Sequence, residues 1–233
     1  MKRLFIPVIA LIAFLAALTL VPQQQAHGQS AGLVSSVLSR LQRNHQTLKS
    51  LRANISMAKW DSRLREDDKY YGSVIYMPGA GRNAFVRLEW NKPRHEILGV
   101  ANGRYTLYRP ALGTVYIGRA NSKGQGNESE ILSMLNMSSD ELQTRFQPFQ
   151  DVREETLGGG VRTTHLTLIP KTAMSFKHAE VWVDSAGMPV QIKISERNDD
   201  ATTVRLDNLQ KNAKISLDEF PVKYDASAKI IKG

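Results

Sequence analysis

Cysteine is absent from the chain. Its absence excludes a disulfide scaffold, thiolate zinc sites, iron–sulfur clusters, cysteine nucleophiles and an anchor on the chain's own lipidated cysteine. Aromatic residues are scarce, at 7%, and do not interleave with the scattered basic residues. A base-stacking surface for nucleic acid is therefore excluded. Long hydrophobic runs are missing beyond the N-terminus, and no internal repeat, heptad array or interdomain linker is visible. What is present is ordinary globular material: 233 residues, 42% hydrophobic and 23% charged. That is enough apolar mass for a core and too little bias for disorder or fibre. Lysine and arginine number 31 against 22 acidic residues, a net charge of +9 that suits an anionic partner without naming one.

The one apolar run spans Leu4 to Val21. Lys2 and Arg3 precede it, and Pro22, three glutamines and Ala26-His27-Gly28 follow. A basic start, a hydrophobic stretch and small residues at the end describe a secretory signal peptide, with cleavage expected before Gln29. The competing reading is a retained transmembrane anchor. Against it, the run is near the lower length limit for a span, Pro7 interrupts it, and no basic stop-transfer cluster follows. The expected organisation is a signal peptide over 1–28 and a single exported domain over 29–233. Losing Lys2 and Arg3 leaves 29 basic against 22 acidic residues, a net charge of +7. An exported domain without cysteine has to hold together by core burial alone.

Between Leu33 and Leu51 the apolar residues Leu33, Val34, Val37, Leu38, Leu41, Leu48 and Leu51 fall at helical spacing. After Leu51 the period becomes two. Val86, Leu88 and Trp90 alternate with Phe85, Arg87 and Glu89; Val190, Ile192 and Ile194 alternate with Gln191, Lys193 and Ser195. The same pattern recurs around Leu166, Val181, Val204 and Ile215. Strands with one dry and one wet face build an antiparallel sheet. Turn signals separate them: Pro110 to Gly113, Asn102-Gly103, Leu157 to Gly160, Asp184 to Gly187 and Asn198 to Asp200. About ten or eleven strands result, more than a flat sheet tolerates, so a strongly curved or unclosed antiparallel β-barrel is expected.

The meander is interrupted between Asn121 and Phe146. A glycine-bearing loop is followed by two short helices, the first capped by Asn127 with Glu130, the second by Ser138 with Glu141. Helices this short need support, so they are expected to lie on the sheet and cover its concave face.

Catalytic patterns are missing. His45, His95, His165 and His178 form no metal-binding spacing and read as solvent-facing. No Gly-x-Ser-x-Gly elbow and no phosphate-cradling glycine loop with a following Lys-Ser/Thr occurs. The acidic pairs Glu66-Asp67-Asp68, Glu154-Glu155 and Asp199-Asp200 read as solvated turns and edge protection. No enzyme activity, metal or cofactor is expected. The apolar surplus then has two readings, a filled core or a ligand cavity.

The stretch Arg82 to Pro93, the strand from Ile97 to Gly103, and Tyr105-Thr106-Leu107-Tyr108-Arg109-Pro110 resemble the LolA family of periplasmic lipoprotein carriers. Leu166 to Pro170, the hairpin Val181 to Ser195, the strand Thr202 to Leu209 and Asn212 to Phe220 are similar to its later segments. The resemblance implies an unclosed β-barrel whose concave side, lidded by helices, takes acyl chains. It also implies a periplasmic monomer that carries lipoproteins between an inner-membrane ABC-type transporter and an outer-membrane receptor. On that basis the cavity wall is expected on Val86, Leu88, Trp90, Ile97 and Leu107, and the lid on Leu132, Leu135, Leu142 and Phe146. Arg82 matches the family arginine that controls the lid. Two alternatives stay open: a carrier of free lipid or glycolipid on the same fold, and an envelope sensor that binds another protein.

Overall fold

A computed structural model of the chain describes residues 25–79, 84–120, 134 and 137–233. The protein is mainly β: a 12-stranded sheet, not closed into a barrel, with helices on one face. Helix α1 (Gln25–Thr47) leads into a meander of β1 (Leu51–Asp61), β2 (Glu66–Pro78), β3 (Ala84–Lys92), β4 (Glu96–Ala101), β5 (Arg104–Arg109) and β6 (Thr114–Arg119). Helix α2 (Ser139–Arg145) precedes a second meander of β7 (Gln150–Leu157), β8 (Val161–Leu168), β9 (Phe176–Asp184), β10 (Pro189–Glu196) and β11 (Ala201–Lys211). A last strand, β12 (Lys229–Lys232), ends the chain.

The strand order is β12-β6-β5-β4-β3-β2-β1-β11-β10-β9-β8-β7. The first meander runs from β1 to one flank. The chain then passes to the opposite edge at β7, returns strand by strand, and pairs β11 against β1. Every pairing is antiparallel except that of β12 with β6. The sequence-based count missed this strand. Its four residues are all exposed, so it carries no wet–dry alternation to read.

The turns follow their chemistry. Asn102 and Gly103, both at positive φ, form a two-residue hairpin between β4 and β5. The Asp184 carboxylate accepts the backbone N–H groups of Ala186 and Met188 and shapes the β9–β10 turn. Gly187 in that turn has φ +80, and a Cβ there would stand 2.1 Å from the carbonyl oxygen of Arg40. Only glycine lets α1 lie this close.

Four expectations need correction. Ile215 and Leu217 form no strand: 213–216 has no regular structure, and Ser216 caps a short 3-10 helix, Leu217–Glu219, by accepting the Asp218 N–H. The first helix ends at Thr47, because Leu51 already belongs to β1 and buries its side chain in the sheet. Glu66-Asp67-Asp68 and Glu154-Glu155 lie on strands β2 and β7; Asp199 and Asp200 do sit in a turn. His165, expected to face solvent, is at 0% exposure. It stacks against Trp182 with ring centres 4.7 Å apart, and its nitrogens meet the Asp151 carbonyl at 3.1 Å and the Glu180 carboxylate at 3.2 Å.

After β11 the chain crosses the outer face of the first meander as a strap. Glu219 pairs with Arg52 of β1 at 2.6 Å, and the Phe220 ring lies 5.6 Å from that of Phe85. Arg87 donates to the Pro221 carbonyl at 2.9 Å, and Tyr108 donates to Asp225 at 2.6 Å. Giving up its proton beside that carboxylate is unfavourable, so the Tyr108 phenol is held above its ordinary pKa. The strap closes a small second core of Ile97, Tyr108 and Val115 with Val222 and Ala228.

Candidate functional site: the covered inner face

Alternation on the strands sends one set of side chains to the face beneath the helices. Leu51, Ala53, Ile55 and Met57 of β1 lie there, as do Val86, Leu88 and Trp90 of β3. Register carries the row onward: Leu88 stands opposite Leu98, and Leu98 opposite Leu107. On the other flank Leu166 faces Val181, and Val181 faces Ile192. Leu107 apart, these residues belong to one continuous apolar core that spans both meanders.

Helix α1 covers part of this face. Val37, Leu41 and Asn44 form its buried stripe at the three- and four-residue spacing of one helical face, and Leu48, just past its end, is buried in line with them. Arg40 pins it by donating to the Asp184 carbonyl at 3.1 Å and the Thr164 hydroxyl at 2.7 Å. Asn44 donates to the sulfur of Met188 at 3.6 Å.

Helix α2 supplies the second part of the cover. It begins with the expected capping box, Ser138 and Glu141 each satisfying the other's backbone N–H. Leu142 and the cap residue Phe146 are buried in the core with Met134 and Met137. Ser139 donates to Gln42 of α1 at 2.9 Å. At its other end, Gln147 N–H bonds the Ile169 carbonyl at 2.8 Å and Lys171 N–H bonds the Arg145 carbonyl at 2.9 Å. The helix is thus hinged to the sheet by backbone bonds at one end; at the other, the Gln42 side chain of α1 accepts from both the hydroxyl and, at 3.3 Å, the backbone N–H of Ser139.

Of the residues expected at the site, Val86, Leu88, Trp90, Leu142 and Phe146 come together in the same core. Leu107 shares their face but is only half-buried. Ile97 does not join them. It pairs with Glu89 and Tyr108 on the outer face and belongs to the small core under the strap. The reason is register: Leu88 opposes Leu98, so Leu98 and Val100 take the inner positions. Sequence reading missed these two because Ile97-Leu98 and Gly99-Val100-Ala101 have no polar alternation. Arg82, Leu132, Leu135 and the first short helix lie outside the described residues.

Two hollows lie on the outer face. One of about 340 Å³ lies between Arg52, Arg87, Glu89 and Glu219 under the strap. Another of about 570 Å³ lies beside Asn54, Tyr71, Asn91, Lys92 and Asp207. Among the described residues no cluster of His, Asp and Glu could hold a metal ion, and no helix is long and apolar enough to cross a membrane.

The fold is an open, half-barrel β-sheet whose apolar inner face is covered in part by helices. The chain belongs to the LolA family: the family model described as outer membrane lipoprotein carrier protein LolA matches residues 82–223, more than half of its length. Comparison with curated proteins gives no match. Among solved structures, the chain is similar to an uncharacterized conserved protein from Thermus thermophilus, with a TM-score of 0.53 at 14% identity, covering 85% of this chain and 98% of that one. It is also similar to the Mycobacterium tuberculosis lipoprotein LppX, with a TM-score of 0.47 at 12% identity, covering 80% and 99%. A third similarity is to the MucA/MucB complex of Pseudomonas aeruginosa, with a TM-score of 0.49 at 13% identity, covering 85% of this chain and 63% of that one.

Proposed function

We propose that the chain is a periplasmic carrier, exported as a single domain over 29–233, that shields the acyl chains of lipoproteins and moves them from inner to outer membrane. The observation that carries this reading is the continuous apolar inner face covered in part by the short helix α2. Transfer of apolar surface from water is worth ~0.8 kcal/mol per methylene, so one long acyl chain exposed to water costs on the order of 10 kcal/mol. A guest that enters under the cover recovers that energy on Val86, Leu88, Trp90, Leu98 and Leu107. Swinging α2 aside removes Leu142 and Phe146 from the same surface and costs part of what the guest contributes. That cost offsets part of the gain and so eases release of the cargo. The exchange requires no catalytic group and no cofactor. Loading would come from an inner-membrane ABC-type transporter, and unloading would go to an outer-membrane receptor.

Purifying the exported protein under mild conditions and identifying its ligand by mass spectrometry tests the proposal. Triacylated protein is the expected guest. Free phospholipid or glycolipid alone would replace the lipoprotein cargo with a lipid one on the same fold. A stable protein partner bound without acyl chains would overturn the carrier reading.

A further inference from the structure

The open sheet leaves two edges, and they are built differently. At β7 the edge is guarded. Asp151 sits at φ 49, the register slips between Gln150 and Arg153, and Arg153 links Asp151 to Glu155. Bulges and charges of this kind prevent another strand from pairing.

The β12 edge has no bulge; it is a four-residue strand whose charges are those of Lys229 and Lys232. Its register with β6 runs unbroken from Lys229 opposite Thr114 to Lys232 opposite Ile117. Lys229 N–H bonds the Gly113 carbonyl at 2.8 Å, and Gly233 N–H bonds the Ile117 carbonyl at 3.0 Å. Because backbone groups alternate sides along a strand, Ile230 and Lys232 turn their N–H and C=O groups away from β6. Among the described residues no strand lies beyond them. Ile230 is 47% exposed and Ile231 37%, one on each face of the edge. Neither flanking lysine has an ion-pair partner among the described residues.

The charges say what fits. A second copy paired antiparallel would set Lys229 against Lys232, and like charges directly opposed are destabilising. An extended segment with acidic residues around an apolar centre would instead match both the open backbone groups and the lysines. We propose that the β12 edge is a docking site for such a segment of another protein, which adds to the sheet as a further strand. This site is separate from the inner face and does not depend on the cargo.

The test uses the full chain and a fluorescein-labelled octapeptide with two aspartates flanking a valine–isoleucine centre, read by anisotropy. Two control peptides replace the aspartates by lysine or place proline at the centre. The acidic peptide is expected to bind at least tenfold more tightly than either control. Ile230→Pro removes an outward N–H without touching the bonds to β6, and is expected to cut binding at least tenfold with unchanged thermal unfolding. Lys229→Glu/Lys232→Glu is expected to reverse the preference between acidic and basic peptides, and holds the test if the proline variant misfolds. No binding of the acidic peptide, or equal binding of the three peptides, overturns the proposal. So does binding of phosphatidylglycerol vesicles without peptide binding, which would assign the lysines to a lipid surface.

Discussion

The two flanks of the inner face are packed to different degrees. On β8 to β10, Leu166, Leu168, Ala179, Val183, Ile192 and Ile194 are all at 0% exposure. Across the sheet on β4 to β6, Leu98, Val100, Leu107 and Tyr116 are only half-buried. The closed flank has α1 pinned to it by Arg40, by Asn44 and by the close approach at Gly187. One flank therefore holds the fold together, and the other leaves apolar surface incompletely covered. In a carrier the second flank is where a guest's acyl chain first finds partners.

The largest effect is expected on the closed flank. Ile192→Ala removes methylenes from a fully buried site and should cost about 2–5 kcal/mol of stability. Chemical denaturation measures the loss, and fatty-acid affinity, scored at a temperature where the variant is folded, should stay within about twofold. The opposite outcome is expected on the open flank. Leu107→Asp should weaken binding of a fluorescent fatty acid by roughly tenfold or more, about 1.4 kcal/mol, because a carboxylate is left facing the acyl chain. Its thermal unfolding should change little, since Leu107 is only half-buried. If both variants lose stability and binding in parallel, the division between flanks fails.

A smaller effect is expected on the outer face of the closed flank. Burial raises the pKa of the Glu180 carboxyl, but the hydrogen bonds and charges of Lys193 and His165 outweigh it and hold the group below its ordinary value. Lys193 lies 2.8 Å away and His165 3.2 Å, with His178 at 4.0 Å and Asp151 on the far side of the His165 ring. A depressed folded pKa stabilises the protein above the unfolded carboxylate range. That contribution is lost as pH falls through the folded value. Glu180→Gln should therefore lower the midpoint of thermal unfolding at neutral pH and make no difference in strong acid. Melting curves between pH 7 and about pH 2 separate this from a simple packing defect, which would persist across the range.

How much of this was readable in advance depended on whether one element supplied the signal. The capping box at Ser138, the hairpin at Asn102-Gly103 and the alternation through Val86, Leu88 and Trp90 are local, and the structure has them as read. Ile97 and Leu98 are different, because only the pairing of β3 with β4 decides which faces the helices. His165 was misread for a related reason. Its strand shows it on the outer face, but its burial comes from Trp182 and from β7, which local sequence does not bring together. The strap was hidden as well. Its contacts with Arg52, Phe85 and Tyr108 join residues more than a hundred positions apart.

On the carrier reading, movement of α2 opens the inner face. With no native cysteine to interfere, Gln42→Cys/Ser139→Cys can be joined by a short, reductant-cleavable bis-maleimide that ties α2 to α1 at the contact they already make. Loading of a fluorescent fatty acid is then followed before and after cleavage. Loading slowed at least tenfold by the bridge and restored by its removal is the expected result. Loading at the same rate with the bridge intact would contradict the swinging cover.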